Sequence, residues 1–168
     1  MQDLKQFVVD IPDFPQPGIL FRDISPLLRR HFAATIESIE RLFSEAEWDA
    51  VDAVAGIESR GFILASALAE RRGKGFVPIR KKGKLPPPVV DIAYDLEYGT
   101  GVLEMQAGQG RLLLVDDVLA TGGTLAASMA LSLQAGYTLC GLGVLLDLGM
   151  APGFRYDGHA ARSVLQYG

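Results

Sequence analysis

One stretch of the sequence combines acids, glycines and threonines in an order suited to binding a phosphorylated sugar. Leu112 to Val115 is apolar throughout, as in a buried strand, and Asp116 and Asp117 follow where that strand would reach its carboxyl edge. The run Thr121 to Thr124 then opens a helix, so free N–H groups and hydroxyls face any anion there. The two carboxylates would lie about one sugar length from the bound anion, where they could accept hydrogen bonds from the 2- and 3-hydroxyls of a ribose. The pattern therefore predicts that segment 112–124 grips a ribose 5-phosphate.

Two competing interpretations apply to the same stretch. An apolar strand ending in two aspartates is also typical of the metal-holding strand of P-loop ATPases, but the chain has no Gly-Lys-Ser/Thr sequence to supply the matching phosphate loop. A purely structural strand, turn and helix cap would use the same residue types. Thr-Gly-Gly-Thr alone is only weak evidence for a phosphate site. Two acids followed by a short apolar spacer and this quartet are a more specific pattern for one.

Alternating strands and helices place this segment at a sheet edge. Periodic apolar residues predict helices, and short apolar runs predict parallel strands, of which the run Leu139–Leu146 is the last. A basic, proline-rich segment at 81–88 predicts a mobile loop, followed by an antiparallel hairpin projecting from the sheet. The fold class is therefore α/β, with a central parallel sheet flanked by helices. The predicted helices are 31–47, 61–72 and 121–135; the parallel strands are 51–55, 76–79, 111–115 and 139–146; the hairpin strands are 89–98 and 101–107.

Length, composition and charge limit the kinds of protein that this chain can be. The 168 residues suit a single domain spanning 1–168, and 49% apolar with 21% charged residues is typical of soluble globular proteins. With a net charge of −4 the chain lacks the excess of positive charge that is typical of nucleic acid binding, so no nucleic acid partner is expected. The single Cys140 lies in an apolar run and is expected to be a buried, inert thiol in a reducing compartment. The amino end is unlike a secretory signal, and no apolar stretch is long enough to cross a membrane, so we expect a cytoplasmic protein.

Four separated motifs resemble a known family. Val115–Thr124 (VDDVLATGGT) resembles the phosphoribosyl pyrophosphate motif of type I phosphoribosyltransferases. Ile11–Leu28 (IPDFPQPGILFRDISPLL), Ala55–Phe62 (AGIESRGF) and Ile79–Gly99 (with IRKKGKLP and YDLEYG) resemble the adenine phosphoribosyltransferases within that family, in the same order. The resemblance implies the type I phosphoribosyltransferase fold, with a short base-recognising hood over 1–30 and a mobile catalytic loop over 81–100.

The resemblance also implies a reaction of purine salvage. Adenine N9 would displace pyrophosphate from C1 of phosphoribosyl pyrophosphate, giving AMP, with Mg²⁺ held mainly by the substrate diphosphate and no metal bound directly by the protein. A cationic ribose and a departing pyrophosphate need positive charge and careful positioning more than a covalent nucleophile. A homodimer is implied as well, and no membrane partner.

Site residues follow from the matched motifs. Glu97 is implied to handle the purine proton while its loop excludes water, and Arg60 to act in catalysis at the pyrophosphate. A cis peptide at Glu58-Ser59 is implied to turn N–H groups toward pyrophosphate. The residues implied to bind phosphoribosyl pyrophosphate are Asp116 and Asp117 at the ribose hydroxyls, Ala120, Thr121, Gly122, Gly123 and Thr124 at the 5-phosphate, Glu58, Ser59, Arg60, Arg80 and Lys84 around the pyrophosphate, and also Tyr98.

The base is implied to bind at Leu20, Phe21 and Arg22, chiefly through backbone groups, with Phe21 stacking and Val118 and Leu148 as apolar walls. A backbone carbonyl accepts from the 6-amino group of adenine but opposes the 6-oxo group of hypoxanthine or guanine. Without the resemblance, these residues suit plainer structural roles: a core aromatic for Phe21, a local ion pair for Arg22 and Asp23, a surface position for Glu97 and a solvated face for the basic residues.

Two regions depart from the family. Gly149–Phe154 stands where relatives commonly carry Leu-x-Gly-Arg-x-Lys-Leu, although Ser163–Tyr167 resembles the family again. Pro87 and Pro88 replace a glycine region and are expected to stiffen the loop. Three rival functions stay open: a phosphoribosyltransferase for a 6-oxopurine, a regulator that senses phosphoribosyl pyrophosphate without transferring it, and an α/β domain without a ligand.

Overall fold

Continuous apolar runs form the centre of an eight-stranded sheet. The computed structural model describes residues 3–96 and 99–168. Strands Ala53–Ile57, Gly110–Leu119 and Tyr137–Asp147 lie side by side in parallel, so that Val54 faces Leu113 and Leu114 faces Leu142. Such strands are buried on both faces, which explains why their sequences are apolar without alternation.

Labelled in chain order, the helices are α1 (Ser25–Arg30), α2 (Phe32–Glu40), α3 (Glu45–Asp49), α4 (Arg60–Arg72) and α5 (Gly123–Gln134). The strands are β1 (Val9–Ile11), β2 (Phe21–Asp23), β3 (Ala53–Ile57), β4 (Gly75–Lys81), β5 (Val89–Leu96), β6 (Gly99–Gln106), β7 (Gly110–Leu119), β8 (Tyr137–Asp147), β9 (Arg155–Tyr156) and β10 (His159–Gln166). A 3-10 helix spans Leu4–Phe7. The sheet order is β5-β6-β4-β3-β7-β8-β10-β9, while β1 and β2 form a separate antiparallel pair in the hood.

Two buried clusters cover the sheet. Leu113 and Val115 of β7 belong to one cluster, whereas Leu112 and Leu114 belong to the other. Because successive side chains of a strand point to opposite faces, the clusters lie on opposite sides of the sheet. The first cluster includes Trp48 with residues of α2 and α4, and the second includes residues of α5.

The helix predicted over 31–47 is wrong in its second half. Helix α2 ends at Glu40, and α3 begins after Ser44. The Ser44 hydroxyl accepts from the Glu47 N–H at 3.3 Å, and the Glu47 carboxylate accepts from the Ser44 N–H at 2.7 Å. This capping box starts a new helix inside one continuous apolar pattern.

Two other expectations about the sheet need correction. The hairpin β5–β6 is antiparallel as predicted, but β6 also pairs with β4 at Arg80 and Glu104, so the hairpin extends the sheet instead of simply projecting from it. The run 139–146 is not the last parallel strand, because β10 pairs in parallel with β8. Strand β10 carries exposed and half-buried residues at the sheet border and so lacks a continuous apolar run.

Cys140 is half-buried on β8, and its thiol lies 3.7 Å from the Ala50 carbonyl. Burial raises the pKa of the Cys140 thiol, which favours the unreactive protonated form. The thiol is therefore less enclosed than predicted, yet suppressed in reactivity. Within residues 3–96 and 99–168, no helix is long and apolar enough to cross a membrane.

Candidate active site

The acid pair lies inside strand β7 and not beyond its end. The strand continues to Leu119, with Asp116 paired to Val144 of β8. Asp116 and Asp117 are only 7% and 6% exposed. The apolar pattern predicted both acids at the point where the strand emerges, but β8 continues to Asp147 and carries the ladder past them. Two carboxyl groups thus lie within a central strand, near its carboxyl end.

The two acids differ in their surroundings. Asp117 Oδ2 lies 2.7 Å from Arg60 Nη2, an ion pair without hydrogen-bond geometry. Burial, and then the charge of Asp117, raise the pKa of Asp116 well above its usual range. A Cβ at Gly61 would lie 2.6 Å from Asp116 Oδ1, so glycine there lets the start of α4 approach the acid.

The segment Ala120–Thr124, here called the phosphate loop, forms a small cavity with the acid strand. The cavity measures about 110 Å³, and Asp116 and Val118 also line it. Gly122 has φ +90° and precedes the first turn of α5. A Cβ at Gly122 would lie 2.5 Å from the Phe154 ring, so that ring packs directly on the loop backbone. The glycine turn therefore lies at the amino end of a twelve-residue helix, a position where backbone N–H groups are free of helical partners.

A second group of predicted residues lies at the start of α4. The Glu58-Ser59 peptide is cis, as the resemblance implied. The Glu58 carboxylate accepts from Arg80 Nη2 at 3.1 Å and from the Lys81 N–H at 2.9 Å. The Arg80 contact is the main cause that lowers the pKa of Glu58. The Glu58 side chain is a carboxylate paired with Arg80, so it would repel an anion. Only the backbone of Glu58 could therefore bind one.

The basic loop after β4 is tethered by Glu104, a residue that sequence reasoning missed. Glu104 is buried, and its Oε1 accepts from the Lys84 N–H at 2.9 Å and from the Leu85 N–H at 2.7 Å. Hydrogen bonds from the Leu85 and Gly83 backbone lower the pKa of Glu104. Glu104 could have been noticed as the lone acid in the apolar stretch of β6. The first residues of the predicted mobile loop are thus anchored, whereas Glu97 and Tyr98 lie outside the described residues.

The hood forms a second cavity, of about 340 Å³, next to Arg60. Phe21 is half-buried and meets Phe14 edge-on with ring centroids 5.1 Å apart, so it is not the core aromatic that the sequence alone suggested. The Arg60 guanidinium lies 5.0 Å from the Phe21 ring centroid. Arg60 thereby reaches from the hood cavity to Asp117. The cavity is lined by Ile11, Phe14, Phe21, Asp23, Ser25 and Arg60, of which Ile11, Phe14 and Ser25 were not singled out from the sequence.

Arg22 and Asp23 do not form the local ion pair that their adjacency suggested. Asp23 accepts from the Ser25 N–H and hydroxyl at 2.9 and 2.6 Å, while Arg22 faces Asp10 on β1. Adjacent side chains of a strand point to opposite faces, which separates the two. Of the other predicted base contacts, Leu20 is exposed, and Val118 and Leu148 are half-buried against the first cluster. The Leu148 N–H donates to the Leu119 carbonyl at 3.0 Å, which holds both walls beside the end of β7.

The family model, the similar sequences and the similar solved structures all belong to phosphoribosyltransferases. A family model described as phosphoribosyl transferase domain matches residues 28–158. The adenine phosphoribosyltransferase of Hydrogenovibrio crunogenus is 51% identical over 165 residues, covering 98% of this chain and 96% of the relative. That of Bdellovibrio bacteriovorus is 49% identical, covering 98% and 99%. The crystal structure of the adenine phosphoribosyltransferase from Rhodothermus marinus superposes with a TM-score of 0.83 at 42% identity, covering 97% and 96% of the two chains. The structure of the Saccharomyces cerevisiae adenine phosphoribosyltransferase, complexed with an imino-altritol bisphosphate and adenine, superposes with a TM-score of 0.88 at 33% identity and covers 96% of each chain.

Proposed function

The chain belongs to the phosphoribosyl transferase family, and we propose from this premise that it transfers the 5-phosphoribosyl group of phosphoribosyl pyrophosphate to adenine N9, giving AMP and pyrophosphate. The observation that carries the proposal is Arg60. This side chain joins an acid-and-phosphate half of the site, through Asp117, to an aromatic hood cavity, through Phe21. A reaction between an activated ribose and a flat base needs these two halves next to each other.

We assign the phosphoribosyl half of the substrate to β7 and the phosphate loop. The Ala120–Thr124 backbone and hydroxyls would bind the 5-phosphate, and Asp116 and Asp117 the ribose hydroxyls. In support, the loop surrounds a cavity beside the acids and opens a long helix. A carboxyl group with a raised pKa, like that of Asp116, can either donate to or accept from a hydroxyl.

The residues present also fit Mg²⁺ carried by the diphosphate. Among the described residues no cluster of three or more His, Cys, Asp or Glu side chains could hold a metal by itself. Asp117 Oδ2 already lies 2.7 Å from Arg60 Nη2, and burial raises the pKa of Asp116, so neither carboxyl group is a free anionic ligand for the ion. The ion would therefore be held by the diphosphate, where it would neutralise charge on the leaving pyrophosphate.

Pyrophosphate would lie among Ser59, Arg60, Arg80 and Lys84. Each guanidinium keeps N–H donors beyond those used for Asp117 and Glu58, and arginine binds phosphate oxygens in a bidentate way. Positive charge placed before the reaction stabilises the leaving group as negative charge develops on it. On the motif alone, we assign the transfer of the purine proton to Glu97 and a contact with phosphoribosyl pyrophosphate to Tyr98.

Base choice is assigned to the hood. Backbone groups of Leu20–Arg22 would read the 6-amino edge, with Phe21 stacking and Val118 and Leu148 as walls. The rings of Phe21 and the neighbouring Phe14 give the hood cavity an apolar aromatic lining, which suits a purine. The hood and the sheet would act as one domain, because the hood cavity includes Arg60 of α4. The cytoplasmic location stays a prediction.

We further propose a homodimer. Ile63 on α4 and Phe76 on β4 are 41% and 38% exposed, and Phe76 packs edge-on against Phe62 at 5.7 Å. Large apolar side chains exposed together favour contact with another chain. A second copy is the occupant we assign, because symmetric dimers are the commonest assemblies of soluble proteins.

The deciding experiment measures pyrophosphate release from phosphoribosyl pyrophosphate with Mg²⁺ and one of four purines. We expect adenine to exceed hypoxanthine, guanine and xanthine by roughly 100-fold or more in kcat/KM, since a buried carbonyl would oppose the 6-oxo group. Faster release with a 6-oxopurine would overturn the base assignment. Binding of phosphoribosyl pyrophosphate without release for any base would instead indicate a sensor.

A further inference from the structure

Tyr167, directly after β10, connects the catalytic sheet to the hood. Its N–H donates to the Asp147 carbonyl at 2.8 Å, which ties its backbone to the end of β8. Its ring contacts two cations of the amino-terminal segment: Arg22 Cζ lies 3.9 Å and Lys5 Nζ 4.3 Å from the ring centroid. Lys5 also donates to the Gln166 carbonyl at 2.8 Å. Gln166 and Tyr167 therefore contact the hood through a backbone carbonyl and an aromatic ring, and of these two groups the ring is the one that meets Arg22.

Arg22 relies on this ring more than on any described hydrogen bond. Its side chain is 18% exposed, and the nearest carboxylate oxygen, on Asp10, lies 3.8 Å away, beyond hydrogen-bond range. Among residues 3–96 and 99–168, neither Nε nor Nη1 of Arg22 has a hydrogen-bond partner. A guanidinium shielded from water gains more from an aromatic face than an exposed one does. The Tyr167 ring is thus the principal contact that fixes this cation.

The position of Arg22 affects the base-reading strand. Arg22 is the central residue of β2, paired with Asp10 of β1, and Phe21 precedes it. Phe21 lines the hood cavity while Arg22 points to the other side of the two-stranded pair. If the ring were lost, the guanidinium would move toward water to recover hydration, and the short strand would shift with it.

We propose that Tyr167 is a positioning residue for the base: its ring holds the Arg22 guanidinium and so sets where β2 presents its backbone groups to the purine. This inference rests on the proposed function, because β2 matters to catalysis only if the hood takes the base. Phosphoribosyl binding is expected to be independent, since β7 and α5 hold the acid pair and the phosphate loop. Tyr167 thus acts on one substrate and not on the other.

The test compares steady-state kinetics of Tyr167→Leu, Tyr167→Phe and Lys5→Met with the parent protein. For Tyr167→Leu we expect the KM for adenine to rise roughly 5- to 30-fold, with kcat and the KM for phosphoribosyl pyrophosphate within about twofold. Tyr167→Phe keeps the ring and should match the parent. Lys5→Met removes the other cation on the ring but leaves Arg22 in place, and should also match the parent.

The outcomes separate this inference from the function on which it rests. No pyrophosphate release from the parent with adenine would refute the proposed function itself. An active parent with an unchanged adenine KM in Tyr167→Leu would refute the positioning role alone. Equal rises in both KM values would show a general structural effect and would also overturn the role, as would a Tyr167→Phe variant as impaired as Tyr167→Leu.

Discussion

Among single residues, Arg60 has the widest influence on the site. It pairs with Asp117 on β7 and lies over the Phe21 ring in the hood, although the three residues are far apart in sequence. Its neighbour Gly61 allows the start of α4 to approach Asp116. The acid pair of β7 and the Phe21 ring of the hood therefore both meet the first turn of α4.

Substitutions of Asp117 and Glu97 should change different kinetic parameters. Asp117→Asn is expected to raise the KM for phosphoribosyl pyrophosphate by roughly 10-fold or more, because Arg60 loses a charged partner and the ribose an acceptor. Glu97→Gln should mainly lower kcat, since its proposed task is a proton transfer. Asp91→Asn, an exposed acid on β5 near Lys82, serves as the matched control and should behave as the parent. Indistinguishable KM and kcat values for all three variants would contradict these roles.

The raised pKa of Asp116 predicts a dependence of stability on pH. Burial favours the protonated carboxyl group in the folded protein, so the stability associated with it is complete at pH values below the unfolded pKa and is lost as pH rises through the folded pKa. Asp116→Asn, which stays neutral, should therefore unfold at a higher urea concentration than the parent at about pH 7.5, and the difference should shrink toward about pH 4. A variant that is less stable than the parent at the higher pH would show that ionised Asp116 is stabilised by its surroundings.

At the scale of elements, the segment that departs from the family acts as a support for the phosphate loop. The Phe154 ring of this segment packs on Gly122. The Phe154 N–H donates to the Ala151 carbonyl at 3.1 Å, and the Phe154 carbonyl accepts from the Ala161 N–H of β10 at 3.3 Å. The segment is thus anchored by its own backbone hydrogen bonds and packs on the phosphate loop.

Gly122→Ala should damage phosphate binding selectively. The residue has φ +90°, which an L side chain adopts at a cost of about 1–2 kcal/mol, and the new methyl group would overlap the Phe154 ring. We expect the KM for phosphoribosyl pyrophosphate to rise roughly 10-fold or more while adenine affinity is retained. Gly73→Ala is the control, because Gly73 also has positive φ, at the end of α4, but has open space around it. If both variants behaved alike, backbone strain alone would account for the result.

At the scale of the whole molecule, Ile63 of α4 and Phe76 of β4 are two of the large apolar side chains that stay exposed. Phe62, which packs on Phe76, also meets Arg80, whose guanidinium lies 5.7 Å from the Phe62 ring centroid. A dimer formed there would lie close to the pyrophosphate residues. Assembly and catalysis would then depend on the same region of the fold.

The assembly prediction is checked by light scattering coupled to gel filtration. We expect the parent to have twice the 18.1 kDa chain mass, and Phe76→Glu to have the mass of one chain, because a charge cannot be buried unpaired in an apolar contact. Leu133→Glu, a comparably exposed apolar position on α5, should leave the mass unchanged. A parent protein with the mass of a single chain would refute the homodimer.

Much of the site was predictable because its signals are local. The apolar run of β7, the two acids and the Thr-Gly-Gly-Thr turn are contiguous, and together they specify strand, edge and helix start. The parallel centre of the sheet followed from continuous apolar runs, and the family followed from four short motifs in order. Where two local signals competed, as at the Ser44–Glu47 capping box within an apolar period, the sequence interpretation was wrong.

Only the tertiary structure decided which side chains meet across long separations. Glu58 with Arg80, Glu104 with the loop at Lys84, Phe154 with Gly122 and Tyr167 with Arg22 are contacts between elements that no periodicity relates. The physical reason is that a local pattern fixes which face of a strand or helix is apolar, whereas a specific contact depends on the position of every element packed between the partners. The sequence by itself determined the strand, acid pair and glycine turn of β7 and the phosphate loop, and the fold determined how Arg60 joins them to the hood.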